Sequence, residues 1–324
     1  MKKSFKLFLA AAFLVTEFFV VALPLMITSA KADGHPIQAI THAGFGGGTD
    51  VTTRMMLLRT RRYLKQDMQL VNKKGGGGAA SMDYMMTLPA DGQHTLTWTT
   101  GHAVSMALGK TKVKLSDMQP LARGTDDPQL FVVNCKNEIK DAKKFISAQK
   151  SKSLKYGTTH VGGIDDVSAI AFTKNGKLTD PTIVPYKGVG PIKTNLIKGD
   201  IDVGVLNLGE AVTEIEDGTL CVSVVLASNR MEKLSNVPTA TELGIPVVLS
   251  TVRGFVTRKG VPADRKKQLE DAMIKAMEHK YFQSFLTDIG LDSTSVVGAD
   301  EWGKQMEVML AEMTAQLKAL GYIN

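Results

Sequence analysis

Aromatic side chains are scarce in this chain, at 6% of residues, and only two are tryptophan. No run of lysines and arginines interleaves with them, so the stacking and phosphate contacts of a nucleic-acid binder are missing. Cysteine is scarcer still. Cys135 and Cys221 stand alone, with no C-x-x-C and no Cys/His spacing, which argues against a metal site. His35, His42, His94, His102, His160 and His279 are scattered, and none sits four residues from another on a helix. There is no G-x-S-x-G elbow of the kind that presents a nucleophilic serine. Beyond residue 32 no apolar run is long enough to cross a bilayer. No metal and no cofactor is expected.

The start of the chain is rich where the rest is poor. MKKSFK is basic, Leu7 to Ile27 is mostly apolar with breaks at Glu17 and Pro24, and Ala30-Lys31-Ala32 offers small residues to an export protease. We read 1–32 as a secretory signal peptide cleaved after Ala32. An uncleaved membrane anchor is the alternative; Glu17 and the A-x-A site favour cleavage. The mature protein is then expected outside the cytoplasm, in the periplasm. Four lysines and one glutamate fall in 1–32, so the formal charge of +7 becomes +4. That balance suits the attraction of small anions. In an oxidising compartment two cysteines permit one disulfide; two buried free thiols are the other possibility.

The most informative stretch is Gly44-Phe45-Gly46-Gly47-Gly48-Thr49-Asp50. It follows a strand signal, Pro36 to Ile40, and precedes a helical pattern with Val51, Met55 and Leu58 on one face. A strand feeding a glycine turn into a helix start leaves backbone N–H groups pointing outward, with the helix dipole behind them. Such a place suits an anion, and glycine lets it approach closely. A bare tight turn is the plainer reading. A nucleotide fits poorly: no Lys-Ser/Thr follows the last glycine, Thr49 stands where G-x-G-x-x-G needs glycine, and Asn72 replaces the ribose-binding acid.

Strand and helix signals alternate almost throughout, which predicts an α/β fold with parallel sheets. Leu154-Lys155-Tyr156 leads into a second glycine- and threonine-rich loop, Gly157 to Gly163, and then a helix near Asp165. The "strand, Gly/Thr loop, helix" pattern therefore occurs twice. Near the end, Trp302, Met306, Met309, Met313, Leu317 and Leu320 form one helical stripe, which we read as core.

The order Gly46-Gly47-Gly48-Thr49-Asp50, Pro89-Ala90-Asp91-Gly92, then Val184-Pro185-Tyr186-Lys187-Gly188-Val189-Gly190-Pro191 closely resembles the extracytoplasmic solute receptors of tripartite tricarboxylate transporters. Asn236-Val237-Pro238-Thr239 with Glu242-Leu243-Gly244, and Arg253-Gly254-Phe255 before Lys259-Gly260-Val261-Pro262, extend the resemblance over nearly all of 37–322. It implies a two-lobed periplasmic-binding-protein fold, type II-like, with an interlobe cleft and two hinge crossings. The expected lobes are 33–124 plus 229–324, and 125–228, with hinges near Thr125 to Pro128 and Ala227 to Asn229. A ligand carboxylate is held by backbone N–H groups of the loop at Phe45, Gly46, Gly47, Gly48, Thr49 and Asp50. The opposing loop spans Thr158 to Asp166, with Thr158, Thr159, Gly163, Ile164 and Asp165 as candidates. That loop is commonly serine-rich in relatives; here it has fewer hydroxyls and two acids. Asp165 is read first as a helix cap.

Gly101 and His102, which open a helix, join the candidates, as do Tyr186 at a strand end and Asn207 as a polar wall. Arg253 is read equally as partner of a distal carboxylate or as an interlobe arginine. The resemblance also suggests that Phe131-Val132-Val133 and Val222-Ser223-Val224 are antiparallel crossing strands. Cys135 and Cys221 would then lie opposite, and a disulfide would be a feature of this chain.

The leading expectation is a non-enzymatic, monomeric receptor. It captures a small carboxylate, di- or tricarboxylate foremost, and delivers it to membrane permease subunits of a tripartite tricarboxylate transporter. The alternatives are an exported α/β enzyme using His102 or His160 as general base, and the ligand-sensing partner of a two-component system.

Overall fold

The computed structural model describes residues 35–159 and 161–323. The expected leader at 1–32 and His160 lie outside the described residues. The chain begins with β1 (Ile37–Thr41), α1 (Gly48–Leu64), β2 (Met68–Asn72), α2 (Ala79–Met86), β3 (His94–Thr99) and α3 (Thr100–Ala107). β1 lies between β2 and β3 and runs parallel to both. β4 (Met118–Pro128) then pairs antiparallel with β10 (Ser250–Arg258), which pairs antiparallel with β3. With a short β11 (Val297–Gly298), the six-stranded order is β11-β4-β10-β3-β1-β2.

The middle of the chain builds a second sheet. β5 (Leu130–Asn134), α4 (Ala142–Ser151), β6 (Lys155–Thr158), α5 (Ile164–Asn175), β7 (Thr182–Pro185), α6 (Val189–Lys198), β8 (Val203–Leu206), α7 (Leu208–Glu216) and β9 (Leu220–Val225) follow in turn. The order is β7-β6-β8-β5-β9, with β6 parallel to β7 and β8, and β5 antiparallel to β8 and β9. The expectation of parallel sheets therefore needs correction: both sheets are mixed. The βαβ units are parallel, as right-handed crossovers require. The strands that carry the chain out of one sheet and back enter antiparallel.

The sheets meet where these strands cross. β4 continues in the first sheet through Pro128, past residue 124, and Gln129 alone separates it from β5. Gln129 N–H donates to Leu249 O (2.9 Å), Leu226 N–H to Gln129 O (2.8 Å) and Leu249 N–H to Leu226 O (2.9 Å), tying the two crossings together. The segment after residue 229, expected in the first lobe, first packs on the second sheet. Met231, Leu234 and Val237 join the core beside β9, and Thr239 bridges Val225. Apolar spacing over those residues is too irregular to show which sheet they cover.

The first lobe's outer layer comprises α8 (Ala263–Glu278), α9 (Lys280–Asp288) and α10 (Ala299–Ala319). The methionine stripe of α10 is core: Trp302, Met306, Met309, Met313 and Leu317 are all buried. Asp300 and Glu301 in its first turn and Lys318 in its last complement the helix dipole. Trp302 lies on Gly254 of β10, where any Cβ would run into the indole, and its ring centroid is 5.8 Å from that of Trp98. In the second sheet Phe131 packs edge-on against Phe172 at 4.9 Å and against Tyr156 at 5.5 Å. At that sheet's edge Val133 pairs with Cys221, and Cys135 and Cys221 form a disulfide with Cα atoms 5.0 Å apart.

Candidate functional site

Two loops of the same local design end on helix N-termini. In the first, Gly46 has φ +75° and its N–H donates to Asp50 Oδ2 (3.0 Å). Gly47 is the N-cap of α1, and its N–H donates to Gly44 O (3.1 Å). In the second, Gly162 has φ +68° and its N–H donates to Asp166 Oδ2 (2.6 Å), while Gly163 is the N-cap of α5. Both read Gly-Gly-x-x-Asp. The aspartate folds back on the residue before the cap and absorbs that N–H. The N–H groups of Gly48, Thr49 and Asp50, and of Ile164 and Asp165, have no acceptor inside their own helices. Each loop therefore presents a small set of donors backed by a dipole.

Asp165 does not cap its helix, contrary to the sequence reading. Gly163 holds that place; Asp165 stands in the first turn, where Oδ2 accepts the Thr159 N–H (2.9 Å) and hydroxyl (2.6 Å). Its other oxygen lies 3.4 Å from Gln129 Nε2, so the second loop is anchored to the crossing strand. Thr158 is fully buried at the start of this loop, and Ile164 turns into the core.

Arg253 on β10 is the centre of the site. It is buried, and Nη1 pairs with Asp127 Oδ2 at 3.0 Å. Nε donates to Thr49 Oγ1 (3.3 Å), and Nη2 to Asn207 Oδ1 (3.1 Å). Thr125 Oγ1 and Thr251 O lie 3.4 and 3.5 Å from Nη1. A Cβ on Gly48 would sit 2.6 Å from Nη2, so glycine at that position makes room for the guanidinium. Arg253 is thus an interlobe arginine whose donors are largely committed to protein.

Asn207 is the N-cap of α7 on the other sheet. Its Nδ2 donates to Asp127 O (2.9 Å) and Pro128 O (3.0 Å), and its N–H donates to Glu210 Oε2 (3.1 Å). Glu210 completes a capping box, Asn-x-x-Glu. Desolvation pushes the Glu210 carboxyl up to about 7; Arg253 pulls it down less strongly, and Asp165 and Asp127 add to the rise. Asp127 is pushed up to about 6, again chiefly by burial, despite its ion pair.

Of the sequence candidates, Gly48, Thr49, Asn207 and Arg253 are brought together by direct contacts, and Thr159 and Asp165 join them through Gln129. Phe45 is exposed at the loop tip, with the Arg54 guanidinium 5.1 Å from its ring centre. Tyr186 stands apart: it packs against Gly157, and its N–H donates to Thr158 O (2.8 Å). Gly101 and His102 are buried, with the His102 ring against Gly78 and Gly101 facing Gly77 O. His102 Nδ1 accepts the Thr99 N–H (3.0 Å), Nε2 meets Ser81 Oγ (3.0 Å), and the ring stacks near Trp98. Burial and neighbouring His42 hold its pKa well below 6.5, so it is a neutral structural ring. Sequence reading missed Asp127, Gln129 and Glu210. Only Glu210 had a signal, the capping box. It also missed Lys74 and Lys110, whose ammonium groups face Gly44 and Gly162, at 3.7 and 3.6 Å from where a Cβ would be.

Comparison with known proteins places this geometry. Residues 52–320 match the family described as tripartite tricarboxylate transporter family receptor. The chain is 27% identical to protein BugT of Bordetella pertussis over 220 residues, 65% of this chain and 66% of that one. A solved structure described as a periplasmic transporter superposes with TM-score 0.80 at 26% identity, covering 87% of this chain and 96% of the other. MatC of Rhodopseudomonas palustris, solved with bound malate, shares the fold with TM-score 0.77 at 23% identity, over 87% of this chain and 98% of its own. The two sheets joined by paired crossings are therefore the two lobes of a periplasmic-binding-protein fold. The match across most of its length shows that this chain belongs to the receptor family of the tripartite tricarboxylate transporters.

Proposed function

We propose that the protein is a monomeric periplasmic receptor. It captures a small carboxylate between its lobes and delivers it to the membrane permease of a tripartite tricarboxylate transporter, with no chemistry of its own. The expected lobe limits, 33–124 plus 229–324 and 125–228, shift with sheet membership so that the crossings fall at Gln129 and near Leu249. The observation that carries the reading is the pair of Gly-Gly-x-x-Asp helix starts, one in each lobe. Two such N-termini give charge-assisted hydrogen bonds to one carboxylate, with Lys74 and Lys110 adding positive potential at the loops. The malate in MatC supports this ligand chemistry.

A melting screen of mature protein against mono-, di- and tricarboxylates tests the proposal. A binder should raise the melting temperature through a stability gain of RT ln(1 + [L]/Kd), about 2.7 kcal/mol at a hundredfold excess over Kd. Gly47→Val should weaken that binder roughly tenfold or more with the apo melting temperature nearly kept. Gly47 has ordinary φ of −72° and ψ of 157°, and its Cβ would lie 3.3 Å from Gly44 O, so the added side chain blocks approach at the cost of a small shift in the loop. Unchanged affinity in the folded variant would sink the loop assignment.

A further inference from the structure

The helices of the second lobe are not buried alike. α4 buries Ala142, Phe145 and Gln149, a single stripe, and α6 buries only Ile192 and Leu196. In α5, every side chain from Ile164 to Thr173 except Ile170 is buried. A helix covered all round needs a partner on its outer face as well as a sheet beneath it. The first lobe supplies that partner. α3 and α10 both touch α5, and Val167, Ala171 and Phe172 share one core with Met309, Met313 and Leu317. Ahead of α5, a Cβ on Gly162 would lie 3.4 Å from Leu108 Cδ1, at the end of α3. Near its other end, Lys174 Nζ donates to the carbonyl of Leu320 (3.3 Å), the residue that ends α10. Leu320 and Ile323 pack on the same core. Tyr322 lies between them. Partial burial, and then the negative charge of Asp166, raise its phenol above the usual range. The tail thus reaches the carboxylate that accepts the Gly162 N–H at 2.6 Å and shapes the second loop.

We propose that the C-terminal tail, Leu320 to Ile323, is a strap that fastens α5 and the second loop to the first lobe. α5 belongs to the second sheet through β6 and β7, so a lobe rotation about Gln129 slides it past α3 and α10. The strap resists that slide and holds the two loops at one spacing. A larger share of molecules is then ready to bind, and the apparent Kd falls accordingly. This effect on affinity rests on the receptor reading; the fastening does not.

Hydrogen exchange and calorimetry on the mature protein test the strap. A variant ending at Ala319 keeps all of α10 and removes the tail. Tyr322→Ala with Ile323→Ala in the full chain is the milder form, for use if the truncated chain fails to fold. Without ligand, amides in 161–173 should exchange at least roughly tenfold faster in either variant, while those of β1 and α1 keep their rates. Affinity for the carboxylate found by melting should fall severalfold or more. Unchanged exchange in 161–173 would overturn the strap, whether or not a carboxylate binds. Faster exchange with unchanged affinity would also overturn it, leaving the tail as packing alone. If no carboxylate binds the parent, the receptor reading falls and the exchange rates alone decide the fastening.

Discussion

Gly48 and Arg253 depend on each other. The missing Cβ admits the guanidinium, and the guanidinium then reaches Thr49, Asp127 and Asn207. Removing one partner of such a buried pair strands the other and typically costs about 3–5 kcal/mol. Glu210 faces Arg253, Asp165 and Asp127 and has no ion pair of its own. Its carboxyl, raised to about 7, and that of Asp127, raised to about 6, bind protons more tightly in the folded state. Their favourable contribution is therefore complete below about pH 4, near the ordinary carboxylate range, and is lost as pH rises through 6 and 7. Glu210→Gln removes one of these penalties. Its melting temperature relative to the parent should be near zero difference at pH 4 and should grow until about pH 8. The gain is at most about 3 kcal/mol, less for the part of the carboxyl that water reaches. A constant difference across melting curves from pH 4 to 8 would refute the desolvated state of Glu210.

At the scale of elements, one motif is used twice. A glycine at positive φ, a glycine cap and an aspartate three residues beyond the cap start both α1 and α5. The spacing is present in the sequence as Gly46-Gly47-x-x-Asp50 and Gly162-Gly163-x-x-Asp166. It is easily passed over, because the loops around it differ. The strands β5 and β9 carry the disulfide between Cys135 and Cys221, which encloses the rest of the second sheet across a separation of 86 residues. Such a closure restricts the unfolded chain and contributes about 2–4 kcal/mol. Reduction should lower the melting temperature by several degrees while leaving ligand affinity close to its oxidised value, since the bridge is at a sheet edge far along the strand from Gln129. Intact mass with and without reductant, followed by melting and titration, checks both parts. Two alkylatable thiols in unreduced protein would exclude the bridge.

For the whole molecule, the two crossings at Gln129 and Leu249 are bound to each other by backbone hydrogen bonds through Leu226. We propose that the lobes turn about this point, where neither sheet need break. Arg253 on the first sheet and Asn207 on the second are hydrogen-bonded beside the crossing, and we propose that this bond helps to hold the lobes together. Solution scattering should therefore show a larger radius of gyration for Asn207→Ala without ligand than for the parent. Saturating ligand should reduce that difference as the loops close. Equal radii in all four states would argue against a hinge at Gln129.

The sequence by itself determined the alternation of strands and helices, the glycine-rich start of α1, the buried methionine stripe of α10 and the family. These are local features: period, turn chemistry and cap residues act over a few positions, and a linear text displays them. Tertiary structure decided the rest. β4 is buried over most of its length and so shows no alternation to mark it as a strand. The antiparallel entry of β4 and β10 depends on where the chain returns, and the placing of 229–240 against β9 depends on which sheet is near. Asp127, Asn207, Glu210 and Arg253 are separated by up to 126 residues and meet only where the two sheets join at the crossings. Their shared charge balance, with Arg253 buried beside Asp127 and near Glu210, is a property of burial and distance in three dimensions.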